Sequence, residues 1–186
     1  MKPTRRSVVL LGMPGAGKST SGVQLAKELA LDFVDTDVLI QVREGRSLQS
    51  ILDATDYLNL RRIEEQVLLE TNLTQHVIAT GGSAVYSEAG MKHLRSFGPA
   101  VFLDVDLNEL KRRIHNHESR GIAMQPGQSF AELFAERRSL YLRYADLILN
   151  CNGKDQQAVL AELVEQFLGT GTSSLETARS TRDLRG

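Results

Sequence analysis

Nine residues near the amino terminus, 12–20, constrain the fold more than any other stretch of the chain; they read Gly-Met-Pro-Gly-Ala-Gly-Lys-Ser-Thr. They follow a short apolar run, Val-Val-Leu-Leu, and precede a helical pattern of apolar residues. A strand, a glycine-rich loop and a helix in this order are the context in which the pattern G-x-x-x-x-G-K-[ST] forms a phosphate-binding loop. The sequence therefore predicts a site for a polyphosphate immediately after the first strand.

The chemistry of this loop can be assigned residue by residue. Glycines let the backbone adopt positive φ and approach a polyphosphate closely, so that successive N–H groups form an anion nest. The start of the following helix adds unpaired N–H groups. Lys18 supplies a mobile charge for the β- and γ-phosphates, and the Ser19 hydroxyl is placed to ligate Mg²⁺. The predicted polyphosphate-binding residues are Gly12, Gly15, Ala16, Gly17, Lys18, Ser19 and Thr20.

Length and composition bound the remaining possibilities. The chain has 186 residues, which suits one domain, and we assign that domain to residues 1–168. The formal net charge of −1 gives no indication of a general nucleic-acid or membrane surface. A single cysteine, Cys151, cannot form a disulfide within the chain, which fits the cytoplasm. Residues 169–186 are rich in Gly, Ser, Thr and charge, and we expect them to be disordered.

Apolar runs alternate with helical patterns along the whole domain. The predicted strands are 8–11, 33–34, 77–80, 100–105 and 145–149. Such alternation is typical of a parallel sheet with helices on both faces, so the expected fold class is α/β, a three-layer sandwich around a five-stranded parallel sheet. The polar stretch 115–129 interrupts the pattern and is predicted to be a lid.

Two acidic residues, Asp35 and Asp37, follow the second predicted strand. Ligands of open α/β sheets bind beyond the carboxyl ends of the strands, so both carboxylates are well placed for function. They could also be ordinary turn formers. Asp104, at the end of the fourth predicted strand, is an alternative residue for supporting Mg²⁺.

Several motifs taken together resemble those of the shikimate kinase family, which belongs to the nucleoside-monophosphate-kinase-like group of P-loop proteins. The resemblance extends over about residues 7–168. Besides the phosphate loop it rests on Phe-Val-Asp-Thr-Asp at 33–37, Glu-Gly-Arg-Ser-Leu at 44–48, Leu-Arg-Arg-Ile-Glu-Glu at 60–65 and Thr-Gly-Gly-Ser-Ala-Val at 80–85. It rests further on Arg120 in the lid and on Arg137 in Glu-Arg-Arg-Ser-Leu-Tyr at 136–141.

The resemblance implies a P-loop kinase fold with a helical substrate-binding segment at about 35–65 and a lid at about 115–129. It also implies ATP-dependent phosphorylation of the 3-hydroxyl of shikimate, giving shikimate 3-phosphate and ADP, in aromatic amino acid biosynthesis. ATP would be the co-substrate and Mg²⁺ the cofactor, and we expect a monomer.

The resemblance also assigns roles to individual residues. The catalytic residues would be Lys18, Asp37 and Arg120. Arg113 and Arg120 would join the phosphate loop in binding ATP, and Ser19 and Asp35 would support the metal. The substrate-binding residues would be Asp37, Arg61, Gly81, Gly82 and Arg137. Arginine suits this last role because its planar fork binds a carboxylate at two points.

Some assignments have competitors. Arg138 competes with Arg137 for the inward direction, and Arg61 could belong to a solvated helix face together with Glu64 and Glu65.

The chain departs from the family's pattern at several positions. Gly121 stands where the family usually has proline, which would loosen the lid, and Ser83 replaces a glycine, which would cause strain if that position needs positive φ. Leu52 and Leu60 replace aromatic residues, and Ser139 replaces a proline.

These departures leave other functions open. The first is a related kinase for another hydroxy acid, such as a gluconate-type substrate. The second is a nucleotide-binding regulatory protein that has lost kinase activity. The third is a nucleoside monophosphate kinase, because arginines also bind phosphates.

Overall fold

Five parallel strands form one sheet at the centre of the protein. The structure, a computed structural model, describes residues 6–114 and 121–169. The strands are β1 (Val8–Leu11), β2 (Asp32–Asp35), β3 (His76–Ala79), β4 (Ala100–Asp104) and β5 (Leu147–Asn150). Their order in the sheet is β2-β3-β1-β4-β5, and every neighbouring pair is parallel. All five lie where the sequence predicts strands, which confirms the expected sheet.

Eight α-helices are described around this sheet. They are α1 (Lys18–Leu29), α2 (Thr36–Glu44), α3 (Leu48–Ala54), α4 (Tyr57–Glu70), α5 (Glu88–Phe97), α6 (Leu107–Arg113), α7 (Phe130–Tyr144) and α8 (Gln156–Val164). A short 3₁₀ turn, Ala84–Tyr86, precedes α5, and a π-helical turn, Glu165–Gly169, follows α8. No helix in the described part of the chain is long and apolar enough to cross a bilayer.

The helices cover both faces of the sheet. Every residue of β1 is buried, which requires packing on both sides of that strand. Helices α1 and α8 pack together, as do α4 and α5. The α/β class and the layered arrangement are therefore as the sequence predicts.

A second, smaller apolar cluster lies apart from the sheet. It joins α2, α3 and α4 through Ile40, Ile51, Leu60 and Val67, and Ala123 packs into the same cluster. The helical segment after β2 therefore has its own apolar support.

The carboxyl ends of the strands meet at one edge of the sheet. The phosphate loop follows β1, Asp35 ends β2, Thr80 follows β3 and Asp104 ends β4. Of the predicted lid, residues 121–129 are irregular, while 115–120 lie outside the described residues, as does most of the predicted disordered tail.

Candidate active site

A cavity of about 550 Å³ opens at the edge of the sheet where the strands end. Its walls come from the phosphate loop and the start of α1, from α2, α4 and α7, from the start of α3 and the end of α6, from the turn after β3 and from the first described residues of the lid segment. Among the described residues, the charged side chains that line it are Lys18, Asp37, Glu64, Arg113 and Arg137. Side chains more than a hundred residues apart in the chain thus share one space.

The phosphate loop has the backbone that its sequence predicts. Gly15 has φ +83°, and a Cβ there would lie 2.7 Å from Cγ1 of Ile114. Gly17, with φ +92°, is the N-cap of α1. Both positions therefore need glycine. Gly15 combines positive φ with close packing against Ile114, and Gly17 has the left-handed conformation. The loop opens onto the cavity through Pro14, Gly15 and Gly17.

Lys18 is held against its own loop. Its Nζ donates hydrogen bonds to the carbonyl oxygens of Gly12 (2.7 Å) and Met13 (3.0 Å). Burial lowers the pKa of Lys18 to about 8, although Asp37 and Asp35 act in the opposite direction. The ammonium is thus charged near neutral pH and lies at the cavity wall, where a polyphosphate would meet it.

Ser19 and Asp35 bring two oxygen ligands together. The Ser19 hydroxyl donates a 2.6 Å hydrogen bond to Oδ2 of Asp35. Oδ1 of the same carboxylate accepts from the backbone N–H of Asp37 at 3.0 Å and so caps α2. A hydroxyl and a carboxylate beside a phosphate loop fit Mg²⁺, which prefers oxygen ligands and usually binds through few protein groups.

Asp37 lies in the cavity beside a second carboxylate, that of Glu64. A Cβ on Gly81 would overlap Oε1 of Glu64 and lie 2.5 Å from Oδ1 of Asp37, so both carboxylates crowd this glycine. Burial, followed by the charge of Asp35, raises the pKa of Asp37 to about 6. Burial, followed by the charge of Asp37, raises the pKa of Glu64 to about 7.

Glu64 is the residue that sequence reasoning missed as part of the site. It is only 2 % exposed, and its Oε1 has no hydrogen-bond partner among the described residues. The Ser83 hydroxyl donates to its other oxygen, Oε2. A signal was present in the sequence, because Leu60, Glu64, Val67 and Leu68 recur at helical spacing and a carboxylate therefore interrupts an apolar stripe.

Arg137, rather than Arg138, points into the protein. Arg137 is 1 % exposed, lines the cavity and donates from Nη2 to the carbonyl oxygen of Ala123 at 2.7 Å. Arg138 instead forms a two-point ion pair with Asp104, at 3.2 and 2.6 Å. This pair occupies the carboxylate of Asp104, the alternative residue for supporting Mg²⁺.

Arg61 approaches the site from α4 without lining the cavity wall. Its guanidinium lies 3.4 Å from the centroid of the Tyr86 ring and 4.9 Å from that of Tyr57. Its Nε and Nη2 are buried with no hydrogen-bond partner in the described part of the chain, as is Nε of Arg137. Buried donors of this kind are costly unless an acceptor reaches them, which indicates an anion site beside the cavity.

Two further residues are predicted to bind ATP, and only Arg113 lies in the described part of the chain. Arg113 lines the cavity, and its Nε donates a 2.9 Å hydrogen bond to the carboxylate of Glu109. Its Nη1 lies 3.5 Å from the carbonyl oxygen of Gly15, so the side chain is next to the phosphate loop. Arg120 lies outside the described residues, so its role stays a prediction.

Comparison with known proteins gives the family. The shikimate kinase family model matches residues 14–168. The chain belongs to the shikimate kinase family. A shikimate kinase from Mycobacterium avium is 36% identical over 166 residues, which cover 87% of this chain and 93% of that protein. One from Paracidovorax citrulli is 33% identical over 173 residues, covering 90% and 94%.

A solved structure agrees with this assignment. A shikimate kinase from Acinetobacter baumannii, in complex with shikimate, superposes with a TM-score of 0.81 at 25% identity, covering 90% of this chain and 96% of that one. Membership places the chain among kinases that transfer phosphate from ATP to shikimate, and it confirms the P-loop kinase fold.

Two departures from the family pattern have structural explanations. Ser83 has φ −101°, so serine causes no backbone strain at this position. The strain expected if residue 83 needed positive φ, which was one reason to consider a loss of kinase activity, is therefore absent. Gly121 has φ +63° and its N–H donates to Oε1 of Gln49 at 3.0 Å. Proline has a fixed negative φ and no backbone N–H, so it could provide neither the positive φ nor the hydrogen bond. Glycine therefore fits this conformation and does more than loosen the segment.

The two leucines that replace aromatic residues behave differently. Leu60 lines the cavity, whereas Leu52 packs against the smaller apolar cluster and is not among the cavity's lining residues. Only one of the two substitutions therefore alters the wall that a substrate would contact.

Proposed function

We propose that this chain transfers the terminal phosphoryl group of ATP to the 3-hydroxyl of shikimate, giving shikimate 3-phosphate and ADP. One observation carries the proposal: a single cavity joins the phosphate loop to the buried guanidinium of Arg137 and the carboxylate of Asp37. A kinase for a small hydroxy acid needs these three elements in one space, since phosphoryl transfer depends mainly on positioning and charge stabilisation.

On the nucleotide side, the loop N–H groups and Lys18 hold the β- and γ-phosphates. Arg113 contacts the nucleotide next to the loop, and Arg120 adds charge from the lid. Ser19 and Asp35 would hold Mg²⁺, which when bound would neutralise charge on the phosphate oxygens. Support comes from the short Ser19–Asp35 contact and from the position of Lys18 at the cavity wall.

On the acceptor side, Arg61 and Arg137 hold the carboxylate of the substrate. Asp37 accepts a hydrogen bond from the acceptor hydroxyl and takes its proton as the phosphoryl group arrives. A pKa near 6 leaves this carboxylate ionised at neutral pH yet basic enough for that step. Gly81 and Gly82 allow close approach, because a Cβ on Gly82 would lie 2.7 Å from Nη1 of Arg137.

ADP release in a coupled assay tests the proposal. Purified protein with Mg²⁺ and ATP is given shikimate, gluconate, AMP or CMP in turn. We expect turnover with shikimate at micromolar to millimolar concentrations, and release of ADP that depends on the acceptor. Turnover on another acceptor with none at millimolar shikimate would assign the chain to a different substrate. ATP binding with no acceptor-dependent ADP would contradict kinase activity altogether.

A different hydroxy acid remains the second candidate. The observation that favours it is Leu60, an aliphatic side chain on the cavity wall at a position where the family typically has an aromatic ring. The gluconate arm of the same assay decides between the two acceptors.

We further propose that the enzyme works as a cytoplasmic monomer in aromatic amino acid biosynthesis, with no nucleic-acid or membrane partner. The near-neutral net charge of −1 supports the absence of a nucleic-acid partner. Light scattering of the purified protein tests the monomer, since a mass near twice 20.6 kDa would contradict it.

A further inference from the structure

One aromatic ring contacts both guanidiniums of the acid-binding site. The Tyr86 centroid lies 3.4 Å from Cζ of Arg61 and 5.6 Å from Cζ of Arg137. Arg61 comes from α4 and Arg137 from α7, and Tyr86 ends the 3₁₀ turn between β3 and α5. Both distances lie within the range of attractive cation–π contacts.

We propose that Tyr86 is a positioning residue that aligns Arg61 and Arg137 for one carboxylate of the substrate. This inference rests on the proposed function and identifies how its acid-binding site is organised. Neither the motifs nor the family pattern singles out residue 86, because the tyrosine acquires its role only where the two arginines meet.

The geometry of a guanidinium explains how a ring can do this. A ring stacks on the face of the guanidinium, whereas all five N–H donors lie in its plane. Stacking therefore restrains the group without using its donors. Nε and Nη2 of Arg61 and Nε of Arg137 are indeed buried with no hydrogen-bond partner in the described residues. They stay available for the two oxygens of a carboxylate.

An acidic neighbour makes such restraint necessary. The charge of Glu136 acts on Arg61, and the carboxylate lies beside the Tyr86 hydroxyl, which has no hydrogen-bond partner of good geometry among the described residues. A long arginine side chain freed from the ring could pair with Glu136 instead of the substrate. The face of Tyr86 keeps Arg61 directed towards the acid site.

The backbone around Tyr86 is firmly held. Its N–H donates to the carbonyl oxygen of Ser83 at 3.0 Å, and the carbonyl oxygen of Gly82 accepts from the Tyr141 hydroxyl at 2.7 Å. The glycine motif and the ring thus form one unit. A rigid platform of this kind lowers the entropy lost when two flexible arginines bind a ligand.

Steady-state kinetics of Tyr86→Leu and Tyr86→Phe test the inference. Leucine keeps apolar volume but removes the π face, so we expect KM for shikimate to rise about tenfold, the factor of one partly desolvated cation–π contact. KM for ATP should change less than about twofold, because the ATP side of the cavity is untouched. Phenylalanine restores the ring and should bring KM for shikimate back towards its original value.

Binding of a neutral analogue separates positioning from general damage. The methyl ester of shikimate lacks the charge that the arginines bind. We expect Tyr86→Leu to weaken binding of the acid about tenfold while leaving that of the ester nearly unchanged. Equal losses for acid and ester, a parallel rise in KM for ATP, or a Tyr86→Phe variant as impaired as Tyr86→Leu would each overturn the inference.

A spectroscopic measurement makes the inference independent of the substrate. In ¹H–¹⁵N spectra, the Nε–H proton of Arg61 should resonate upfield because of the ring current of the stacked tyrosine. It should stay upfield in Tyr86→Phe and move downfield in Tyr86→Leu. An unchanged Arg61 signal in Tyr86→Leu would overturn the role of Tyr86, whereas absence of shikimate turnover in the unsubstituted protein would overturn only the proposed function.

Discussion

The carboxylate of Asp37 best distinguishes the acceptor side of the cavity from its nucleotide side. It lies with Glu64 around Gly81, while Ser19 and Asp35 form the pair next to the phosphate loop. This division indicates that loss of the Asp37 charge should affect the acceptor and not the nucleotide.

Asp37→Asn should therefore lower turnover by about a hundredfold to ten-thousandfold, the usual contribution of a positioned base. Affinity for ATP should change little. Initial rates together with an ATP-binding titration check this, and Asp53→Asn, on the exposed part of α3, is the control. If ATP binding weakened as much as turnover, Asp37 would belong to the nucleotide side instead.

Glu64 makes stability depend on pH in a direction that can be measured. Its pKa is raised from 4.5 to about 7 by burial and by Asp37. Between these pH values the folded state holds a proton that the unfolded chain has released. The free energy of unfolding therefore falls as pH rises from about 4.5 to about 7.

Glu64→Gln removes the free-energy cost of ionising a buried carboxyl group, because the amide of glutamine stays neutral at every pH tested. Relative to the unsubstituted protein, the variant should gain on the order of 3 kcal/mol at pH 8 and little at pH 5. Urea denaturation at both pH values measures the gain. Glu65→Gln is the matched control, since Glu65 accepts from Ser87 outside the cavity. A gain of equal size at both pH values would contradict a protonated Glu64.

At the scale of elements, the turn at Gly121, the first described residue of the predicted lid, is fixed by packing rather than by sequence preference. Gly121 has φ +63°, and a Cβ there would overlap that of Leu48 and lie 2.8 Å from the nitrogen of Gln49. The turn is thereby docked on the start of α3. Sequence reasoning interpreted this glycine only as a source of flexibility.

Gly121→Ala should cost about 2–4 kcal/mol of unfolding free energy, from positive-φ strain together with overpacking. Gly127→Ala is a matched control, because Gly127 also has positive φ, +79°, but no atom of the described residues lies within 4 Å of its added Cβ. That variant should lose only about 1–2 kcal/mol. Urea denaturation of both proteins measures the difference, and equal losses would show that Gly121 does not depend on its contact with Leu48.

At the scale of the whole molecule, the site depends on a sheet whose centre is β1. Leu10 of β1 is fully buried and pairs with Ala79 of β3 and Val101 of β4. The phosphate loop begins two residues later. Packing around Leu10 therefore supports both the fold and the position of the loop.

Leu10→Ala should cost about 3–5 kcal/mol, a large part of the roughly 5–15 kcal/mol that stabilises a typical domain. Ile148→Ala, in the edge strand β5 at 55 % exposure, should cost under about 1 kcal/mol. Chemical denaturation provides both values. Similar losses at the two positions would contradict a core centred on β1.

The sequence by itself determined the features that depend on local pattern. The five strands follow from apolar runs separated by helical periods, and the phosphate loop follows from three glycines and Lys18 in nine residues. These features could be predicted because the periods of strands and helices, and the need for positive φ, are properties of a short stretch of chain. The edge of the sheet at which Asp35 and Asp37 lie follows from parallel strands alone.

Only the tertiary structure decided which side chains meet. It buried Arg137 and paired Arg138 with Asp104, it placed Glu64 beside Asp37, and it laid Tyr86 on Arg61. Burial and charge partners depend on how α4, α7 and the turn after β3 pack, and no local pattern encodes that packing. The pKa of a carboxyl and the direction of a guanidinium are therefore properties of the folded molecule, whereas the backbone that carries them can be predicted from neighbouring residues.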